Sequence, residues 1–495
     1  MVNRFKLWNN ILGWAVFAVA TISYLLTMEP TTSLWDCSEF IATSYKLEVG
    51  HPPGAPLFMM LARLASLAAP TPEAVPVMIN AMNCIAAGFT ILFLFWTITY
   101  LGRRIVSREG RELGLEQSIL VLGAGVVGAL SYAYTDTFWF SAVEAEVYSL
   151  SSMFTALVVW LMLKWDEEAD SPTSLRWIIL IAYLMGLSIG VHLLNLLAIP
   201  TLVMIYFFRC YKLRTVKDYL LKMALALLVS LVILGAINGV IIPYTVALGA
   251  KFDTFAVNSL GMPVNSGIVI FLVLLFTALG WLILYSHKRG KRVLNTIALC
   301  VTVILIGFSS YASVTIRAVA NPPMNSNNPS TPHTLLSLLN RDQYGQRPLL
   351  VGPYYSAMPM ATVESAYNFD DPDYYRPTGD ILTKQAMWLN PETGKYEARE
   401  MFVDYKYPSE ANRLFPRMWS HSRREGYELG WVETVDGHPT KERIAEGVGR
   451  WYEPTAWEDI RYFLGYQMGD MFWRYFMWNF VGRQDDEQLT KDELG

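Results

Sequence analysis

Two carboxylates three residues apart open the chemistry of this chain: Asp36 and Glu39, in Leu34-Trp35-Asp36-Cys37-Ser38-Glu39-Phe40. On a helix they share a face, so one could take a proton from a substrate while the other orients it. The same Asp-x-x-Glu spacing also suits a helix cap, and the two readings are compatible. Glu48 and His51 follow in Glu48-Val49-Gly50-His51-Pro52-Pro53-Gly54, where the proline pair could start a helix. Glu144 and Glu146 lie within Phe138-Trp139-Phe140-Ser141-Ala142-Val143-Glu144-Ala145-Glu146-Val147-Tyr148. On a helix, residues two apart point about 200° from each other, so at most one of the two would face a shared cavity. His192 and Asn195 could line a pocket wall, or His192 could be a structural residue at a helix end. Arg317 precedes Asn321-Pro322-Pro323; a guanidinium there suits a phosphate or snorkels to lipid headgroups. The cysteines Cys37, Cys84, Cys210 and Cys300 are far apart and suggest neither a disulfide framework nor a metal site. No Asp/His set has metal-ligand spacing, so the reading expects no metal and no required cofactor.

Most of these residues sit at the margins of long apolar runs. The 495 residues are 53% hydrophobic and 17% charged, and the charge is uneven. Residues 319–495 hold 44 charged residues in 177, about the share of a water-exposed domain, whereas residues 1–318 hold 38. The mean hydropathy of +0.28 therefore averages two unlike parts. Disorder, collagen and a disulfide scaffold are excluded, and a net charge of −4 gives no basic excess for nucleic acid.

Nine runs approach the roughly 20 apolar residues a spanning helix needs: 9–27, 76–101, 117–134, 139–163, 176–190, 193–208, 219–242, 266–286 and 293–317. The first follows Arg4 and Lys6 without a small-residue cleavage site, so it reads as a retained anchor. Whether 54–69 also spans decides the topology. With 54–69 lying on the surface, segments 1–8, 102–116, 164–176, 209–218 and 287–292 carry sixteen Lys/Arg, against Lys46, Arg63 and Lys251 on the other side. The positive-inside rule then puts the N-terminus inside and everything after Arg317 outside. Letting 54–69 span would place Arg103, Arg104, Arg108 and Arg111 outside. Asp36, Glu39, Glu48, His51, Glu144, Glu146, His192 and Arg317 thus gather at one membrane surface, where ionisable groups are costly enough to imply function. Residues 462–481 read as an aromatic interfacial helix. The KDEL at 491–494 is followed by Gly495, so it is no retention signal, and the chain ends without a structural stop, as a fragment would.

With these motifs on the page, the sequence resembles a family of multi-spanning bacterial membrane proteins catalogued as a domain of unknown function (DUF2723), with an animal relative, transmembrane protein 260, that is a protein O-mannosyltransferase. The resemblance rests on WDCSEF at 35–40, LEVGHPPGAPLF at 47–58, FWFSAVEAEVYSL at 138–150, RAVANPPMNSNNP at 317–329 and LNRDQYGQRPLLVGPYY at 339–355. It implies a GT-C glycosyltransferase: an all-α polytopic membrane domain over 1–318, with a first outer loop 28–75 holding juxtamembrane helices. An extracytoplasmic α+β or irregular region would follow over 319–495. By position Asp36 is similar to the family's catalytic acidic residue, and Glu39 falls where a second carboxylate recurs. Arg317, His51, Glu144, Glu146 and His192 are the expected donor and substrate contacts.

The implied reaction moves a mannose-like sugar from a polyprenyl-phosphate donor to Ser/Thr hydroxyls of exported proteins, at the periplasmic face of a bacterial inner membrane. Its partners would be the lipid-linked donor, a protein acceptor and membrane lipids, with no nucleic acid. Within the enzyme class, a lipid or glycan acceptor is the alternative. Outside it stand a transporter, whose site should lie at mid-membrane among interrupted repeats, and a scaffold, in which the acidic cluster is only caps.

Overall fold

The computed structural model describes residues 4–107, 113–211, 215–344, 351–354, 361–362, 378–379, 381–407, 409–414, 441–445 and 449–481. Arg108, Arg111, residues 345–350 and 355 of the 339–355 motif and the KDEL at 491–494 lie outside them.

Among the described residues eight helices are long and apolar enough to cross a membrane: Arg4–Thr27, Pro72–Val106, Leu115–Ala133, Val147–Glu167, Leu193–Cys210, Val216–Leu260, Ser266–Lys288 and Arg292–Val319. A ninth apolar helix, Leu175–Ile189, has 15 residues and at 1.5 Å per residue reaches about 22 Å, short of a hydrocarbon core of about 30 Å. In a bilayer every backbone N–H and C=O must be paired within the segment, which is why these apolar runs are helical. The architecture is that of an all-α polytopic membrane protein.

In chain order the helices of this bundle are α1 (Arg4–Thr27), α2 (Asp36–Lys46), α3 (Pro56–Ser66), α4 (Val75–Val106), α5 (Leu115–Ala133), α6 (Asp136–Val143), α7 (Val147–Glu167), α8 (Leu175–Ile189), α9 (Ile199–Cys210), α10 (Val216–Gly235), α11 (Ile242–Leu260), α12 (Ser266–Lys288), α13 (Arg292–Phe308), α14 (Ala312–Val319) and α15 (Pro332–Asn340). At 11 residues, α3 is too short to span. Asn80, in the second turn of α4, donates from Nδ2 to the carbonyls of Glu29 (2.7 Å) and Thr31 (3.1 Å), just past α1. The end of α1 and the start of α4 therefore share one end of the bundle, and α2 and α3 fold over that end without crossing. Arg103 and Arg104 end α4 at the other end, where Arg104 and Tyr100 bind Asp166 of α7 (2.5 and 2.6 Å) and Arg209 of α9 reaches Asp166 (3.6 Å) and pairs with Asp170. The charge count and the packing thus give the same alternation.

Two expected spans differ in the structure. The run 139–163 breaks at 144–146, between α6 and α7. The run 219–242 continues to Leu260 through a π-helical turn over Ala236–Ile241. Pro243 explains that turn: it lacks an N–H and its ring would strike the carbonyl four residues back, at Gly239, so the backbone widens instead of stopping.

Three hydrophobic clusters fill the bundle. Tyr24, Ile91, Phe95, Ala129 and Phe138 join α1, α4, α5 and α6; Val158, Ile181, Leu196, Ile304 and Leu338 join α7, α8, α13 and α15. Phe40, Phe58, Ile79, Leu150 and Val191 seat α2 and α3 on α4 and α7. The compact unit runs to Asn340, past the expected boundary at 318, because Leu335 and Leu338 of α15 are buried in this core, and it includes Leu389–Tyr396. There Tyr396 donates its hydroxyl to the fully buried Asp253 (2.7 Å), which also accepts from the backbone of Gly267 at the start of α12 (2.8 Å).

The second unit, Arg341–Trp388 with Glu397–Gly495, contains short antiparallel pairs, including Val351–Pro353 with Asn412–Leu414 and Lys441–Ala445 with Gly449–Glu453. A helical run follows from Ala456 to Val481, opened by a capping box between Thr455 and Glu458. Its segment expected to lie at an interface carries exposed Trp473, Phe476 and Phe480.

A backbone-to-backbone seam joins α8 to α13: a Cβ on Gly186 would stand 2.4 Å from the Ile304 carbonyl oxygen, and one on Gly307 2.4 Å from the Leu187 nitrogen. Backbone cannot yield as a side chain can. Gly186→Val is expected to destabilise the protein by about 3 kcal/mol, read as a lowered thermal midpoint in detergent, whereas Gly280→Val, which meets nothing within 4 Å, leaves the midpoint in place.

Candidate active site

Helix α2 presents its acidic turn toward the loop that follows it. The buried face of α2, Cys37, Phe40, Ile41 and Ser44, packs downward, and Phe40 meets Phe58 of α3 (ring centroids 5.2 Å). Asp36 stays largely exposed. Glu39 accepts through Oε1 from the His51 backbone nitrogen (2.6 Å) and lies 3.1 Å from the ring Nδ1. The other ring nitrogen, Nε2, lies 3.8 Å from Asp36 Oδ2. His51 therefore stands between the two carboxylates, with the Phe40 ring alongside (5.5 Å). Gly50 permits this approach, since a Cβ there would stand 3.0 Å from Glu39 Oε1.

The capping reading is not realised. The residue before the helix, Trp35, makes no side-chain cap, Asp36 is the first helical residue, and Glu39 is taken by His51. Pro52 and Pro53 lie in a turn, and the helix starts at Pro56.

The hydrogen bond from His51 holds the Glu39 carboxyl below its ordinary 4.5, and the same contact raises the imidazole above its ordinary 6.5 despite its burial. The contact favours carboxylate on Glu39 and imidazolium on His51, whose Nε2 lies 3.8 Å from Asp36 Oδ2.

The acidic pair 144/146 is not helical. Glu144 and Glu146 have extended backbone (ψ 164° and 150°), but the chain turns at Ala145 between them, where the Glu146 nitrogen donates to the Glu144 carbonyl (2.9 Å), so the 200° separation expected on a helix does not apply. The break is built from two sides. Glu146 turns its carboxylate onto the Val147 nitrogen (3.1 Å), capping α7. Asn83 of α4 donates from Nδ2 to the carbonyls of Glu144 (2.6 Å) and Glu146 (2.8 Å). From α2, the Cys37 thiol points at Glu146 Oε1 (3.8 Å), joining the two acidic motifs. Burial pushes the Glu146 carboxyl from 4.5 up to about 7, with Asp36 and Glu144 adding repulsion, and pushes the Cys37 thiol up to about 12, so the thiol stays a donor.

His192 Nδ1 accepts from the Leu194 nitrogen (3.1 Å), capping the turn Leu193–Ala198, and its ring lies against Tyr148 (5.4 Å). Asn195 donates inward to Ser188 Oγ (2.8 Å) rather than lining a pocket. Arg317 reaches the end of α2, donating from Nε to Leu47 O (2.5 Å) and from Nη2 to Lys46 O (3.4 Å). A cation there complements the negative end of a helix dipole and supports Leu47 in the left-handed region (φ 51°). The loop is also pinned by Val49, which donates to Met324 O (3.0 Å) and accepts from the Ser326 nitrogen (3.0 Å).

Sequence reasoning passed over Asn80 and Asn83. Their signal was two amides three apart at the margin of an apolar run, buried in the structure. Among the described residues no group of three His, Cys, Asp or Glu could hold a metal.

Two titrations follow. The Glu39 pKa is lowered on folding, so its stabilisation is present above about pH 4.5 and lost as pH falls through the folded value; the His51 pKa is raised, so its share is present below 6.5 and lost as pH rises through the folded value. The stability of wild type over Glu39→Gln is therefore expected to peak near pH 5 to 6 and shrink on either side. In an NMR titration Glu39→Gln is expected to lower the His51 midpoint toward 6.5. Glu146 has the opposite sign to Glu39: a carboxyl raised on folding loses stability as pH rises from 4.5 to about 7. Glu146→Gln is expected to match wild type near pH 4 and to gain relative thermal stability by pH 8.

Comparison with known proteins gives the site a context. The family model described as the protein O-mannosyl-transferase TMEM260 N-terminal domain matches residues 36–215, beginning at Asp36 itself. A family of unknown function (DUF8416) matches residues 345–464. The mouse protein O-mannosyl-transferase TMEM260 is 26% identical over 175 residues, 35% of this chain and 22% of the relative. The Dictyostelium discoideum protein O-mannosyl-transferase tmem260 is 25% identical over 187 residues, 36% and 21% of the two chains. No solved structure matches. These matches span about a fifth of the relatives' length, and the range of the family model, 36–215, includes Asp36, Glu39, His51 and Glu146.

Proposed function

We propose that this chain is a membrane glycosyltransferase of the GT-C kind, acting at the periplasmic face of a bacterial inner membrane. It moves a mannose-like sugar from a polyprenyl-phosphate donor to Ser/Thr hydroxyls of exported proteins. The observation that carries this reading is an exposed Asp36 and a Glu39 on one helix turn, joined through His51 of the following loop, inside the segment similar to protein O-mannosyl-transferases.

The chemistry assigns the groups. The donor's C1–O bond to phosphate breaks with the electron pair leaving on the phosphate, through an oxocarbenium-like state. The acceptor oxygen bonds to C1 and its proton passes to Asp36. Glu39 fixes His51, and the imidazolium holds the Asp36 carboxylate in place by charge. Arg317, with Nη1 not used in either contact to α2, supplies a cation for the leaving phosphate. The groups at the site gather at a bundle end, whereas a transporter would use a mid-membrane site.

The test is transfer of labelled mannose from polyprenyl-phosphate-mannose to envelope protein and lipid in purified membranes. Asp36→Asn is expected to lower kcat by about 100-fold or more, and Glu39→Gln by about tenfold through a less firmly held His51. Label appearing in lipid from wild type would replace the protein acceptor, and an Asp36→Asn enzyme within threefold of wild type would remove the base assignment.

A further inference from the structure

At the bundle end away from the acidic turn, the cations fall into two kinds. Arg104 pairs with Asp166, Lys164 with Glu167, Arg176 with Glu168 and Arg209 with Asp170, so these carry their own counter-ions. Lys288, Arg289, Lys291 and Arg292, in the turn between α12 and α13, form no ion pair among the described residues. Both kinds share one end, because α13 runs parallel to α8: Gly186 meets Ile304 and Gly307 meets Leu187, which leaves Arg292 at the end where α8 starts with Arg176. The turn that carries the unpaired cations is rigid. Asn295 of α13 donates from Nδ2 to the Ile283 carbonyl (2.9 Å) and to Ser286 Oγ (3.0 Å), and the Lys291 nitrogen returns to the Ser286 carbonyl (2.9 Å). Gly290 supplies the left-handed φ of 64° that so tight a turn needs. The Tyr285 ring then holds two of the cations, with Arg289 Cζ 6.0 Å and Lys291 Nζ 5.1 Å from its centre, and Trp281 stacks on the same ring (5.3 Å).

Four like charges held within five residues repel one another. Lys291 and Arg292 also stand at the start of α13, the helix end that disfavours a cation. The charge rule that orients spans on insertion accounts for cations on this side of the membrane. It does not account for a rigid turn that keeps four of them without acids while its neighbours are paired. An anion from outside the chain completes the turn, and the surroundings select its kind. Trp281, Leu284 and Val293 are exposed beside the cations, and of α12 only Gly267, Phe271 and Ser286 are buried, so the charges are rimmed by a surface that faces lipid tails. A free phosphate gains nothing from that rim, whereas a phospholipid brings an anionic head and apolar chains together. We propose that the α12–α13 turn binds the headgroup of an anionic phospholipid, with Arg289 and Lys291 on either side of Tyr285 donating to the phosphate and the acyl chains lying along Trp281 and Leu284. This site is at the far end of the bundle from Asp36 and does not depend on the reaction proposed above.

The experiment titrates the full chain in detergent with tail-labelled phosphatidylglycerol and phosphatidylcholine. Wild type is expected to bind the anionic lipid about tenfold more tightly or better, and less tightly as salt is raised. Lys291→Gln combined with Arg292→Gln is expected to lose roughly fivefold per charge removed for phosphatidylglycerol alone, with a thermal midpoint no lower than wild type. Tyr285→Leu keeps every charge, and with it the orientation of the spans, and is expected to weaken phosphatidylglycerol several-fold by freeing Arg289 and Lys291. Arg176→Gln, at the same end but paired with Glu168, is expected to leave both affinities in place. Equal affinity of wild type for the two lipids overturns the site, as does a double variant that binds phosphatidylglycerol as tightly as wild type. Inorganic phosphate that displaces phosphatidylglycerol where chloride of equal ionic strength does not overturns the phospholipid as the ligand.

Discussion

Glu39 is the group on which the acidic end of the bundle depends. Its carboxylate takes both the backbone nitrogen and the ring of His51, and that double contact folds the 47–54 loop back over α2. Without it, the imidazole would lose its hydrogen bonds to α2 and keep the Phe40 ring beside it, while Glu48 would still hold its backbone bond to the Thr43 carbonyl (2.8 Å). A hydrogen bond between charged partners is among the stronger ones available. Here it is half shielded from water and backed by the aromatic face of Phe40.

The remaining constraints secure the same helix from its two ends. At the start of α2, Cys37 meets Glu146, whose own place is fixed by the Asn83 bonds that hold the break between α6 and α7. At its finish, Arg317 takes the last carbonyls while Val49 pairs with the 324–326 segment. Four stretches far apart in sequence thereby meet on an 11-residue helix too short to be stable alone. Motifs that read separately as weak signals are parts of one assembly, and the amides of Asn80 and Asn83 are the joints.

Much of the architecture was legible because the bilayer leaves few choices. Apolar length marks the helices, and the Lys/Arg distribution decided that 54–69 lies across the bundle end, which the Asn80 bond to Glu29 bears out. What was not legible depended on local backbone. The run 139–163 looks continuous by hydropathy, and only the capping of α7 by Glu146 and the reach of Asn83 from another helix interrupt it. Likewise Arg317 was equally a ligand or a structural residue by type, and its partners, the carbonyls of Lys46 and Leu47, come from positions that spacing along the chain cannot supply. Asp36 and Glu39 sharing a face was visible in the spacing; that His51 would stand between them was not, because it depends on how the loop closes.

Four of the five carboxyls of this region end in four different states, and that divergence is itself an argument for chemistry over mere capping. Asp36 is open to solvent and near a cation. Glu39 is committed to that cation and held ionised. Glu146, buried beneath them, titrates about 7 and can stay neutral beside two other acids. Glu48 is buried beside a cleft, its Oε1 without a partner among the described residues. Caps alone would need acids at helix starts and would gain from making them alike, whereas only Glu146 acts as one. A surface that must take a proton, hold a cation and avoid excess charge beneath it needs the differences seen here. The loop from Leu47 to Gly54 carries Glu48 and His51 three residues apart, so a change in its closure would reach both at once.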